Sequence, residues 1–168
     1  MILTDRRRYL RPLSLIACLA VTCSSAFAKP ETSARFFCHT VGAAPPEPLG
    51  DKDGHAISVS QFTCRGVGGL TDGGVLTGTT IYEWDHNNGV LLSRLGVNRK
   101  PGATTAYQHM EGKVSLIVAN GKVTGAALSG RGRMTMATGT ASSLQGKRYR
   151  YSGTTTGPGL FTIEVNYD

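Results

Sequence analysis

The sequence predicts an all-β protein, most simply an eight-stranded antiparallel up-and-down barrel, with a β-sandwich as the alternative. Composition is the first reason. All 22 glycines fall after residue 41, among many threonines and few helix-forming runs, and that mixture suits strands and tight turns. The second is punctuation: turn residues recur at short intervals and leave strands near 34–42, 56–67, 74–86, 89–99, 103–119, 122–138, 146–155 and 160–167. The third is connectivity, because eight successive strands joined by short turns gain from closure, which removes exposed sheet edges.

The turns can be taken in order. Pro45, Pro46, Pro48 and Gly50, followed by Asp51-Lys52-Asp53-Gly54, make one long irregular connection. Shorter ones follow at Gly68-Gly69 to Gly74, Asn87-Asn88-Gly89, Pro101-Gly102, Asn120-Gly121, Ser142 to Gln145 and Gly157-Pro158-Gly159. Asn120-Gly121 is the strongest signal, since a two-residue type I′ hairpin turn needs positive φ at both positions.

Ahead of this domain, Arg6, Arg7, Arg8 and Arg11 precede the apolar run Leu13 to Val21, and a small-residue stretch ends in Ala26-Phe27-Ala28. That pattern reads as a signal peptide over 1–28, cleaved near Ala28/Lys29, leaving a single domain over 29–168. The apolar run falls short of the roughly 20 residues a spanning helix needs, so no transmembrane segment is expected. Arg6-Arg7-Arg8-Tyr9-Leu10-Arg11 resembles the twin-arginine export signal. Leu15-Ile16-Ala17-Cys18 resembles a lipobox but leaves almost no apolar run after Arg11. The expected location is periplasmic or secreted.

Cleavage changes the charge and the cysteine count. The whole chain carries a formal net charge of +7. Losing Arg6, Arg7, Arg8, Arg11 and Asp5 leaves 14 Lys+Arg against 10 Asp+Glu, a net of +4. That balance does not point to nucleic acid as a partner. Cys38 and Cys64 remain, an even pair without CxxC spacing, and in an oxidising compartment they predict a disulfide.

Alternation assigns the strand faces. Val114, Leu116 and Val118, then Ala126, Leu128, Met134 and Met136, then Tyr149 and Tyr151, then Phe161, Ile163, Val165 and Tyr167 mark one face as core or cavity. On this phasing Tyr82, Trp84, Met134, Met136, Tyr149 and Tyr151 line a common cavity suited to an apolar or ring-shaped ligand. A side-chain-filled barrel core is the alternative.

Three further groups carry chemistry. Tyr107, His109 and Glu111 form an alternating polar row able to supply an acid, a base or metal ligands. Val114 and Leu116 share the phase of Gln108 and Met110, so without a bulge at Gly112 this row faces solvent. Glu83, Asp85 and His86 crowd the Asn87-Asn88-Gly89 hairpin, where turn capping explains most of them. Arg131, Arg133, Lys147, Arg148 and Arg150 lie on two consecutive strands as a basic outer face. No serine-nucleophile motif, phosphate-cradling loop, HExxH or paired CxxC follows the signal, so neither cofactor nor metal is expected.

The segment Ser129-Gly130-Arg131-Gly132-Arg133-Met134-Thr135-Met136-Ala137-Thr138-Gly139-Thr140-Ala141 resembles the glycine-rich strand of the dirigent proteins and allene oxide cyclases. The resemblance covers residues 129–141 and, beyond them, only the strand count. It implies an eight-stranded barrel with a hydrophobic cavity that steers a reactive intermediate, and a dimer or trimer. The acidic residues of those families near the start of the domain have no clear counterpart, so no catalytic position carries over. The functional expectation is an exported barrel binding a small apolar, aromatic or amphipathic molecule. If it is an enzyme, it is a cyclase or isomerase rather than a hydrolase. The alternative is a non-catalytic envelope binding or inhibitor module acting through its basic outer face.

Overall fold

The computed structural model describes residues 32–43 and 45–168; the signal-peptide reading over 1–28 lies outside the described residues. The strands are β1 (Ser33–Ala43), β2 (Glu47–Pro48), β3 (His55–Gly69), β4 (Val75–Asp85), β5 (Asn88–Lys100), β6 (Ala103–Ala119), β7 (Lys122–Ala137), β8 (Arg148–Gly157) and β9 (Leu160–Tyr167). Every strand from β3 to β8 pairs antiparallel with its successor, and β1 closes the cylinder by pairing with both β9 and β3. The result is a closed eight-stranded antiparallel barrel with one additional short strand. That strand, β2, pairs with the first residues of β3, where β1 has already ended.

Turn chemistry accounts for the connections. Asn120 and Gly121 have φ of 51° and 70°, as a type I′ turn demands. The β4–β5 turn sits one position earlier than the sequence suggests, on His86 and Asn87, with His86 at φ 54°. A short 3-10 helix over Gly139–Leu144 covers one end of the barrel, burying Ala141 and Leu144. Gln145 anchors it, accepting from the Ala137 amide at 2.6 Å and donating to the Thr135 carbonyl at 3.1 Å.

The interior is mostly filled by two packed clusters. Near the helix-capped end lie Phe36, Leu76, Tyr107, Met134, Tyr149 and Ile163, with Cys38 and Cys64 in the same cluster. Near the opposite end Tyr82, Val114 and Ala126 pack with Trp84, Leu91, Leu116 and Leu128. Cys38 and Cys64 sit directly opposite each other on β1 and β3 and form a disulfide.

The resemblance segment acquires a packing reason here. Gly130 and Gly132 face the interior of β7, where the Tyr151 and Tyr149 hydroxyls, together with the Glu111 and Gln108 carbonyls of β6, leave no space for a Cβ. Glycine inside a strand commonly marks a bend or bulge. In the structure these two make room for two tyrosine rings from β8.

Candidate functional site in the barrel interior

Three bulges decide what reaches the interior. Each adds one unpaired residue to a strand: Leu92 in β5, Met110 in β6 and Thr135 in β7. A one-residue insertion exchanges the two faces of everything beyond it. The bulge at Leu92 lets Leu91 and Arg94 both point inward, and Leu92 and Leu95 are left outside, each more than half exposed. That at Met110 turns Thr105, Tyr107 and His109 inward while Gly112 and Val114 also stay inside. The solvent-facing reading of the Tyr107/His109 row is therefore corrected: both side chains are buried. Glu111 alone remains outside, accepting from Arg131 Nε at 2.6 Å.

The bulges on β5 and β6 fall at the same level. The β5–β6 pairing runs from Asn88/Ser115 to Val90/Lys113 and resumes at Leu95/Gln108. Leu91–Arg94 and His109–Gly112 thus lie in an interrupted stretch of ladder, and Arg94 and His109 enter the barrel there.

Arg94 is 3% exposed. Its guanidinium lies 4.4 Å from the Phe62 ring centroid and 5.8 Å from that of Tyr151, a geometry in which ring quadrupoles attract a cation. Rings provide no lone pair, however. Arg94 Nε has no hydrogen-bond partner, and among the described residues no carboxylate stands within ion-pair distance of Arg94.

On one side of Arg94, towards the helix-capped end, is a cavity of about 30 Å³, room for a water or two. His109 Nδ1, Asn98 Oδ1 and the hydroxyls of Tyr107 and Tyr149 border it, all buried and without partners. The His109 ring stacks 4.0 Å from Tyr151, centroid to centroid. Burial, reinforced by the Arg94 charge, holds its pKa down to about 2, so the imidazole is neutral. Burial raises Tyr107 and Tyr149 above the ordinary phenol value, keeping both hydroxyls protonated; the Arg94 charge opposes this in part.

On the other side is a cavity of about 120 Å³, walled by Phe62, Tyr82, Val114, Leu128 and Phe161, with Arg94 at its inner limit. Thr40, Ser60, Thr80 and Thr155 add hydroxyls. Thr40, Ser60, Thr155 and Phe161 are half-buried, so this cavity reaches solvent at the end away from the 3-10 helix.

Of the six residues expected to line one common cavity, the structure places three on a cavity wall, and those are divided between two cavities. Tyr82 walls the larger space, while Met134 and Tyr149 border the smaller one. Tyr151 is buried beside His109. Trp84 packs on Tyr82 at 5.7 Å and donates to Ser58 Oγ at 2.7 Å, away from both cavities. Met136 is a correction: the bulge at Thr135 turns it outward, 43% exposed, and puts Ala137 inside instead.

Comparison with known proteins brings no relative: no protein-family description, no curated protein and no solved structure matches the chain.

Sequence reasoning missed Arg94 and Asn98. On β5 the apolar residues Leu92, Leu95 and Val97 occupy the outer face and the polar ones the inner face, the reverse of the usual pattern. Gly96 was the available signal. Only glycine fits there, because the Thr77 carbonyl and the Tyr107 hydroxyl lie 2.5 and 2.6 Å from where a Cβ would stand.

Outside the barrel, two histidines each contact two carboxylates. His55 Nε2 lies 2.8 Å from Glu83 and its Nδ1 pairs with Asp51; His86 Nδ1 lies 2.7 Å from Asp85 and its Nε2 3.5 Å from Asp53. These contacts tie the 45–54 connection to the β4–β5 hairpin. Among the described residues no cluster of three or more His, Cys, Asp or Glu side chains is placed to hold a metal ion.

Proposed function

We propose that this protein is exported and binds a small amphipathic molecule inside the barrel, carrying it or steering its cyclisation or isomerisation. The carrying observation is the 120 Å³ cavity, with aromatic and aliphatic side chains on one part of its wall, four hydroxyls on another and a buried cation at its base. Apolar walls with a few convergent polar groups are the usual make-up of a ligand site. Its size suits a compact molecule. The Cys38–Cys64 bridge supports export, since disulfides persist in oxidising compartments. Among the described residues no carboxylate lines either cavity, and His109 and the tyrosines are held neutral. That inventory favours binding and steering over hydrolysis, as the dirigent-like strand also implies.

Thermal-shift screening against small aromatic and amphipathic compounds tests this. Ser60→Phe places a ring in the cavity without removing a hydrogen bond and should abolish every shift. Shifts that survive it would place the ligand elsewhere.

A second reading rests on the outer face. Arg131 stands directly opposite Arg150, and Arg133 directly opposite Arg148. Like charges facing across strands are unfavourable, and only Arg131 has a carboxylate partner among the described residues. An anionic envelope polymer or acidic partner would relieve the repulsion. Neutralising Arg133, Arg148 and Arg150 should then empty a pull-down from envelope extract; an unchanged partner set counts against this surface.

A further inference from the structure

We infer that the interior ligand is a compact monocarboxylate bound head-first, its carboxylate on the Arg94 guanidinium and its apolar body between Phe62, Phe161, Val114 and Leu128. This rests on the interior-binding reading and adds the chemical class.

Charge is the first argument. A buried cation without a counter-ion is among the least favourable features a core can hold, and native proteins pair such groups. The rings of Phe62 and Tyr151 soften the loss of hydration but accept no N–H. His109 is neutral, the nearby tyrosines are protonated, and among the described residues no acid lies within ion-pair distance. The interior therefore lacks one negative charge. A monoanion completes it, whereas a doubly charged phosphate would leave an uncompensated negative charge in the same enclosed space.

Geometry is the second. A guanidinium presents its donors as a planar fork that matches the two oxygens of a carboxylate. Arg94 lines both cavities, and its Nε has no partner. Along the same cavity the lining changes from this cation to aromatic and branched aliphatic side chains, which suits a carboxylate joined to a ring or short chain. The half-buried Thr40, Ser60 and Thr155 open this cavity to solvent while Arg94 is buried, so the charged head enters first.

The test uses the full mature chain with its disulfide intact, and calorimetric titration at neutral pH with benzoate, its uncharged isostere benzamide, and inorganic phosphate. Benzoate should bind at least tenfold more tightly than benzamide, and phosphate should not compete. Arg94→Met should bring benzoate down to the level of benzamide. Arg94→Lys, which keeps the charge without the fork, should fall between, and covers the case in which the methionine variant fails to fold. Equal binding of benzamide and benzoate by the unaltered protein, or a benzoate preference that survives both substitutions, overturns the carboxylate assignment while leaving interior binding intact. If benzoate binds and Ser60→Phe has no effect on it, the interior site itself is wrong.

Discussion

The Arg94 guanidinium carbon lies 4.4 Å from the centroid of the Phe62 ring, which joins a strand-borne cation to an aromatic wall across the barrel. Arg94 comes from β5 and Phe62 from β3, with β4 between them. Only an inward-curving wall lets residues two strands apart meet in this way. The contact places the charge between the two cavities, and most expectations about the protein follow from it.

In the absence of ligand, the charge at Arg94 is a burden on the fold. Replacing it by methionine, which keeps much of the volume and the Phe62 contact, should leave stability unchanged or raise it by up to about 4 kcal/mol, as when buried ion pairs give way to packed apolar residues. Urea unfolding of the ligand-free protein reads this directly. A clear loss of stability would mean that Arg94 is already satisfied within the fold.

The glycine pair of β7 makes a steric prediction. Gly132→Ala should cost about 1–3 kcal/mol through overpacking against Tyr149. Gly68→Ala is the control, because nothing lies within 4 Å of its would-be Cβ. Equal denaturation midpoints for the two variants would remove the packing explanation for the glycine-rich strand.

The disulfide links residues 26 apart in sequence. On chain-entropy grounds a loop of that length contributes roughly 3–4 kcal/mol. A Cys38→Ala, Cys64→Ala double variant should lose about that much, and the unreduced protein should weigh two hydrogens less than its dithiol form. A free-thiol mass would contradict the bridge.

Stability should vary with pH in two opposite senses. His109 has a folded pKa near 2 against an ordinary value of 6.5, so below about pH 6.5 the unfolded chain takes up a proton that the fold refuses. Its contribution is present above that pH and is lost as pH falls, at up to ~1.4 kcal/mol per unit. His55, raised by its hydrogen bonds to Glu83 and Asp51, and His86, raised by that to Asp85, act the other way. Their contribution is present below pH 6.5 and is lost as pH rises through their elevated values. In urea midpoints followed from pH 4 to 9, His109→Gln should flatten the acid side, and His55→Gln the alkaline side. Parallel profiles for all three proteins would contradict both assignments.

The strands and most turns were legible because each turn needs a residue that tolerates positive φ, and Asn120, Gly121, Gly102 and Gly159 announce themselves. The faces were less legible. Alternation is reliable only between bulges, and Leu92, Met110 and Thr135 carry no signature that marks them as unpaired. Each hid something: Leu92 the inward turn of Arg94, Met110 the burial of His109, Thr135 the outward turn of Met136. What the sequence did contain was glycine inside strands, at Gly96, Gly130 and Gly132, each lying beneath a tyrosine. Read as spaces for rings rather than as bends, they would have located the tyrosine-lined interior, though not the arginine beside it.

The central claim, a ligand inside the barrel at Arg94, is tested most directly by amide and side-chain chemical-shift mapping during a benzoate titration. The account predicts saturable shifts concentrated at Phe62, Tyr82, Arg94, Val114, Leu128 and Phe161, with the Arg94 Nε–H resonance moving most. Shifts confined to outward positions such as Arg133, Arg148 and Arg150, or none at millimolar benzoate, would contradict it.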